Sequence, residues 1–84
     1  MATKAHPLIR ESVEVHLRVV EAELKLSRER LRAFERKHGM KSAAFEARFE
    51  AGKLGDDRQW FEWAAELEAA EALEKKARAL RGLP

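Results

Sequence analysis

Two residues near the middle of the sequence have the types and the spacing of a metal-binding motif. Glu35 and His38 form a Glu-x-x-His pair, which carboxylate-bridged di-metal bundles carry on two different helices. One chain holds a single copy, so such a site would need a second chain, and His38 falls at a predicted helix end. The pattern favours a solvated helix end, and neither a metal nor a cofactor is predicted.

The remaining candidates for acid–base or metal chemistry have simpler explanations. His6 and His16 have no partner at ligand spacing, and Glu62 and Glu66 lie one turn apart, as glutamates on solvated helices often do. The sequence contains no glycine-rich phosphate loop, nucleophile elbow or His-Glu-x-x-His motif. It therefore predicts a protein that is not an enzyme.

The composition predicts an all-α protein. Charged residues make up 38% of the 84 residues and aromatic residues 7%, so few side chains are available to build strands. A chain of this length forms one domain, here residues 1–84, with a core that association often supplements. The absence of Cys fits a reducing compartment, and no apolar run is long enough to span a membrane. A cytoplasmic protein without membrane contact is expected.

Three helices are predicted, over residues 8–38, 42–51 and 57–81, after a frayed segment 1–7. Gly39 and Gly52 are expected to cap the first two. Asp56 and Asp57 are expected to cap the third, with Asp56 and Gln59 at capping-box spacing. Both long helices are acidic first and basic last, so an antiparallel hairpin places unlike charges side by side. The predicted fold is such a hairpin, joined by the short helix and assembling into a helical-bundle oligomer.

Apolar residues at spacings of three and four mark the faces that meet inside the hairpin. In the first helix Ser27 interrupts this face. Together with the aromatic residues around the short helix, including Phe61, these positions form the predicted core. Its principal members are Leu17, Val20, Leu24, Leu31, Phe34, Phe45, Phe49, Trp60, Trp63, Leu67, Leu73 and Leu80.

A second apolar stripe runs along nearly the opposite side of the first helix. It consists of Val15, Val19, Ala22, Leu26 and Ala33. Because one neighbouring helix cannot cover both sides, the stripe predicts contact with another subunit or a partner protein. The alternative is that these are ordinary exposed aliphatic residues and helix-forming alanines.

A cluster of basic residues at the end of the first helix offers a second kind of binding surface. It comprises Arg28, Arg30, Arg32, Arg36, Lys37 and Lys41. Such a patch attracts phosphate, although glutamates of the third helix can neutralise it and no short recognition helix is evident. Nucleic-acid binding is therefore the alternative hypothesis.

The residues around the short helix resemble a known family. The pattern consists of Gly39-Met40, Phe45 and Phe49, the run GKLGDD at 52–57 and the run WFEWA at 60–64. It is similar to short helical proteins of bacteria and archaea that are encoded beside small toxin-like genes and resemble antitoxins of toxin–antitoxin modules. The resemblance covers roughly residues 31–73, and Ala43 and Ala44 stand where that pattern usually has an acidic residue. It implies a partner-binding role and no catalytic residues.

These observations predict a non-enzymatic helical hairpin that forms a homodimer or higher homo-oligomer. The resemblance implies that it also sequesters a cognate toxin-like protein.

Overall fold

The computed structural model describes residues 7–83, which form three helices and no strand. Helix α1 spans Pro7–His38, α2 spans Ser42–Glu50 and α3 spans Arg58–Arg81. The all-α, hairpin-like fold predicted from the sequence is confirmed. The predicted frayed segment lies outside the described residues except for Pro7, which is the first residue of α1. No helix within residues 7–83 is both long enough and apolar enough to cross a membrane.

Helix α3 begins one residue later than predicted because Asp57, and not Asp56, is its cap. The Asp57 backbone is extended, and its carboxylate accepts a hydrogen bond of 2.8 Å from the Gln59 backbone N–H. The predicted capping box between Asp56 and Gln59 is therefore wrong. In the observed geometry the capping side chain contacts the second N–H of the helix, which leaves Asp56 exposed in the preceding turn.

Helix α2 ends in a turn that depends on glycine. Gly52 has a φ of 70°, and its N–H donates to the Phe49 carbonyl while the Lys53 N–H donates to the Arg48 carbonyl, each at 3.0 Å. This pair of hydrogen bonds satisfies the last carbonyls of the helix. The turn ends α2 after nine residues and sends the chain towards α3.

The two long helices lie antiparallel. Glu21 of α1 pairs with Arg81 of α3, and Arg28 of α1 pairs with Glu74, each at 2.7 Å. At about 1.5 Å per residue, α1 is roughly 48 Å long and α3 roughly 36 Å. Val20 and Leu17, which precede Glu21, are still buried or half-buried, and Leu80 near the end of α3 lines a groove with Val13 and His16. The longer α1 therefore extends beyond α3 only by its first turns.

The core between the helices is thin. Among the described residues, the buried hydrophobic side chains are Val20, Leu24, Phe45, Trp63 and Ala77. The other predicted core positions are half-buried, namely Leu17, Leu31, Phe34, Phe49, Trp60, Leu67, Leu73 and Leu80. The apolar seams predicted from the sequence thus face inward. Because only two long helices meet there, most of these side chains stay partly exposed at the edges of the interface.

Trp63 joins all three helices. Its ring is fully buried and stacks in parallel on Phe45 of α2 at 4.0 Å and on Phe34 of α1 at 5.5 Å, measured between ring centroids. Its indole Nε1 donates a hydrogen bond of 3.1 Å to the Ser42 hydroxyl. Stacking of this kind adds to the free energy of burial, so Trp63 is the centre of the corner between the long helices.

The sequence predicts that Phe61 belongs to the buried aromatic cluster, and this prediction is wrong. It is 52% exposed and meets Phe49 edge-on at 5.3 Å. Two helical positions turn a side chain by about 200°, so Phe61 points away from the side of α3 on which Trp63 is buried.

We expect Trp63→Ala to lower the free energy of unfolding by about 3–5 kcal/mol, because it removes the largest buried side chain and leaves a cavity. In a core this small, such a loss leaves most of the chain unfolded at room temperature. The control is Phe61→Ala, which should cost less than about 1 kcal/mol. Thermal unfolding followed by circular dichroism measures both, and equal losses would show that Trp63 is not the centre of the corner.

Candidate functional site

The apolar stripe on the far side of α1 is exposed in the single chain. Val15 is 46% exposed, while Val19 and Leu26 are each 52% exposed. Ala22 and Ala33 are also exposed. These five residues, here called the outer face of α1, lie opposite the side that packs on α3.

The inner side of α1 contains a polar link to α3 in place of an apolar contact. Ser27 is fully buried, and its hydroxyl donates a hydrogen bond of 2.5 Å to the carboxylate of Glu66. The other oxygen of that carboxylate accepts a hydrogen bond of 2.8 Å from Nε of Arg30. Because a buried hydroxyl is costly without a partner, this link favours one alignment of the helices over its neighbours.

The environment of Glu66 favours its ionised form. Burial raises the pKa of Glu66, but hydrogen bonds from Ser27 and Arg30, together with the Arg30 charge, outweigh burial and hold the pKa below its ordinary value. The charged carboxylate is thus the form that the folded state selects. Glu66 serves the α1–α3 interface and not an acid–base pair with Glu62, which forms an ion pair of 2.9 Å with Arg58.

Both residues of the Glu-x-x-His motif serve the fold. The Glu35 carboxylate accepts a hydrogen bond of 2.8 Å from the Ser42 backbone N–H at the start of α2. That hydrogen bond lowers the pKa of Glu35, burial opposes it, and the Ser42 side chain and the charges of Lys41 and Arg32 lower it further. The His38 ring packs on Trp60 at 4.7 Å. Within residues 7–83 no group of three or more potential ligands converges on a metal position.

The basic residues predicted as a nucleic-acid patch fall into two sets. Arg28 and Arg30 form ion pairs with α3, at 2.7 Å to Glu74 and 2.8 Å to Glu66. The others, Arg32, Arg36, Lys37 and Lys41, are exposed, and none is ion-paired within 4 Å in the part of the chain that the structure describes. An open groove of about 410 Å³ runs between Arg32, Arg36 and Lys41. Of the six residues of the predicted patch, the four nearest the corner are therefore the ones whose charges remain unpaired within residues 7–83.

His16 is exposed on α1, while His6 lies outside the described residues.

Two structural contacts were not foreseen from the sequence. In the sequence Ser27 interrupts the apolar seam, whereas its burial opposite Glu66 makes it part of the interface. Glu35 belongs to a possible metal motif in the sequence, whereas its carboxylate accepts from the first N–H of a helix that begins seven residues later. The sequence signal is a polar residue on the inner side of α1, which does not identify its partner.

No family model, curated protein or solved structure matches the chain.

We expect the stability of the protein to fall as the pH drops below about 4.3, the value for a glutamate in an unfolded chain. Glu66 and Glu35 both have a lowered pKa in the folded state. Their contribution is therefore complete above the unfolded pKa and is lost as the pH falls through the folded pKa. Glu66→Gln should lower the stability at pH 7 by about 1 kcal/mol and make the loss between pH 5 and pH 3 shallower.

The control is Glu68→Gln, which removes an exposed carboxylate from the same helix without touching α1. Urea unfolding at a series of pH values measures the three proteins. The interpretation of Glu66 would be wrong if both variants changed the pH dependence equally.

Proposed function

We propose that the protein is a non-enzymatic helical-hairpin interaction module that self-associates through the outer face of α1. The observation that supports this most directly is the exposure of Val15, Val19 and Leu26 along one helix side. Aligned exposed aliphatics on a single helix form a continuous apolar patch, unlike the scattered ones that surfaces normally carry.

The shape of the single chain supports association. A compact protein of 9.6 kDa is expected to expose about 5,100 Å², whereas this chain exposes 6386 Å². Its radius of gyration is 17.2 Å, compared with about 12 Å for a compact chain of this length. The additional area exceeds the roughly 800 Å² per partner that a stable interface buries.

An antiparallel arrangement of two α1 helices suits the outer face. It brings Val15 opposite Leu26 of the second copy and Val19 opposite Ala22, so each large side chain has an apolar neighbour. It also directs Glu11 towards Arg32 of the second copy. A parallel arrangement would place Glu29 against Glu29, which is unfavourable.

Binding of a small partner protein, as antitoxins bind toxins, is the second part of this proposal. It is supported by the resemblance of the corner sequence, in which Trp63 of α3 stacks on Phe34 of α1 and on Phe45 of α2 and so ties the two long helices together. A rigid corner presents the helix surfaces in one arrangement, which lowers the entropic cost of binding.

We expect Leu26→Glu to dissociate the assembly while the helical content is retained. A charged group would have to be buried against apolar residues of the second copy, at a cost that exceeds the gain from the remaining contacts. Light scattering across micromolar concentrations measures the mass, and circular dichroism measures the helix content.

Leu83→Glu is the matched control, since Leu83 is 51% exposed but lies after the end of α3. It should leave the mass unchanged. A chain that is monomeric before substitution at high micromolar concentration would refute the proposal, and unfolding by Leu26→Glu would mean that this face belongs to the core.

Nucleic-acid binding is the second candidate, favoured by the groove between Arg32, Arg36 and Lys41. Arg32 and Arg36 both lie on α1, one turn apart. The site is small, since two further arginines of the predicted patch are held by glutamates of α3. Such a surface would contact phosphate and would not read bases.

If this candidate is correct, mixed-sequence DNA or RNA should bind with an affinity that falls steeply as the salt concentration rises. Arg32→Gln combined with Arg36→Gln should then weaken binding about tenfold or more, and Arg28→Gln should have a smaller effect because its charge is already paired. Electrophoretic mobility shifts in 50 and 200 mM salt measure both. No shift at the lower salt concentration would eliminate the candidate.

A further inference from the structure

A groove of about 350 Å³ lies between α2 and α3, away from the outer face of α1. Its apolar lining includes Phe49, Ala64 and Leu67. Phe49 and Leu67 are only half-buried, although both belong to the apolar seams of their helices. The groove therefore leaves part of the core open on one side of the hairpin.

The groove follows from the unequal lengths of the two helices that form it. Helix α2 has nine residues and α3 has 24, so α2 can cover at most roughly 14 Å of a helix that is roughly 36 Å long. The Gly52 turn ends α2 abruptly. Among residues 7–83 no further helix lies beside this part of α3.

Four glutamates form the rim of the groove. Glu46 and Glu50 are four residues apart on α2, and Glu68 and Glu71 are three residues apart on α3. All four are exposed, and none forms an ion pair within residues 7–83. They are spread along both walls and do not converge as ligands for one metal ion. The groove thus combines an apolar floor with negative charge on both sides.

We propose that this groove binds a basic amphipathic helix of a partner protein. Apolar side chains at spacings of three and four on such a helix would contact Phe49, Ala64 and Leu67, and Lys or Arg on its flanks would meet the rim. Nucleic acid does not suit the groove, because the four carboxylates repel phosphate. The proposal does not depend on the outer face of α1, which lies on another helix.

A second copy of this chain is a poorer occupant than a separate protein. Segments of suitable charge are the basic parts of its α1 (residues 28–37) and of its α3 (residues 75–81). Using either would join one surface of a copy to a different surface, the groove, of the next. Such a head-to-tail contact produces rings or open filaments and not a closed dimer. Use of the α1 segment would also compete with the antiparallel pairing of two α1 helices.

The test uses a fluorescein-labelled peptide of 16 residues made of Leu and Lys, with Leu at helical spacing. Its binding to the full chain is measured by fluorescence anisotropy, in a Leu26→Glu background so that self-association does not contribute. We expect the combined Glu46→Gln, Glu50→Gln, Glu68→Gln and Glu71→Gln variant to weaken binding about tenfold, through the loss of four rim pairs.

The control removes the same number of exposed carboxylates from α1, by Glu11→Gln, Glu14→Gln, Glu23→Gln and Glu29→Gln. It should change the affinity less than about twofold, since these positions are remote from the groove. A peptide of the same composition with the Leu positions permuted should bind at least about tenfold more weakly, because it cannot place Leu along the floor.

Equal weakening by the two sets of glutamate substitutions would overturn the proposal, because it would show attraction to net charge alone. Equal binding of the permuted peptide would also overturn it. A chain that carries the four rim substitutions but keeps Leu26 should stay associated. If light scattering shows that it dissociates, the groove binds a second copy of this chain. Failure of the self-association proposal is read separately, from the effect of Leu26→Glu on mass.

Discussion

The parallel stacking of Trp63 on Phe45, at 4.0 Å with the two rings inclined by only 1°, is the contact on which the rest of the fold depends. It fixes α2 against α3, and Phe34 on the other side fixes α1. The same indole donates to Ser42, whose backbone N–H donates to Glu35. One side chain therefore sets the positions of three helices and helps to cap the shortest of them, in a chain with few other fully buried residues.

Farther from the corner, the helices are aligned mainly by charge and hydrogen bonding. Ser27, Glu66 and Arg30 form a polar link where an apolar residue would have been expected, and ion pairs follow towards the open end of the hairpin. Exposed ion pairs contribute little to stability, but a half-buried carboxylate with two partners disfavours other alignments. The link lies on the inner side of α1, together with the buried Val20 and Leu24, and the outer face lies on the opposite side.

The helix positions and the inward faces could be predicted because they depend on periodicity, which the sequence displays directly. Val20, Leu24 and Trp63 follow spacings of three and four, and Gly39 and Gly52 mark helix ends. The polar contacts could not be predicted, because Ser27 and Glu66 are 39 residues apart and Glu35 caps α2 from another helix. The choice of Asp57 over Asp56 depended on the residue at which α3 starts. The orientation of Phe61 could have been read from the pattern, because two helical positions separate it from Trp63 by about 200°. Exposure of the outer face follows from the pattern, whereas the occupant of that face does not.

The antiparallel hairpin also has a consequence for the order in which the chain folds. The partners of Arg30, Arg28 and Arg81 are separated in sequence by 36, 46 and 60 residues, increasing steadily away from the corner. Closing the longest loop first would be entropically the most costly, but each contact shortens the loop that the next must close. Folding therefore proceeds most readily as a zipper that starts at the aromatic corner and ends where α1 leaves α3.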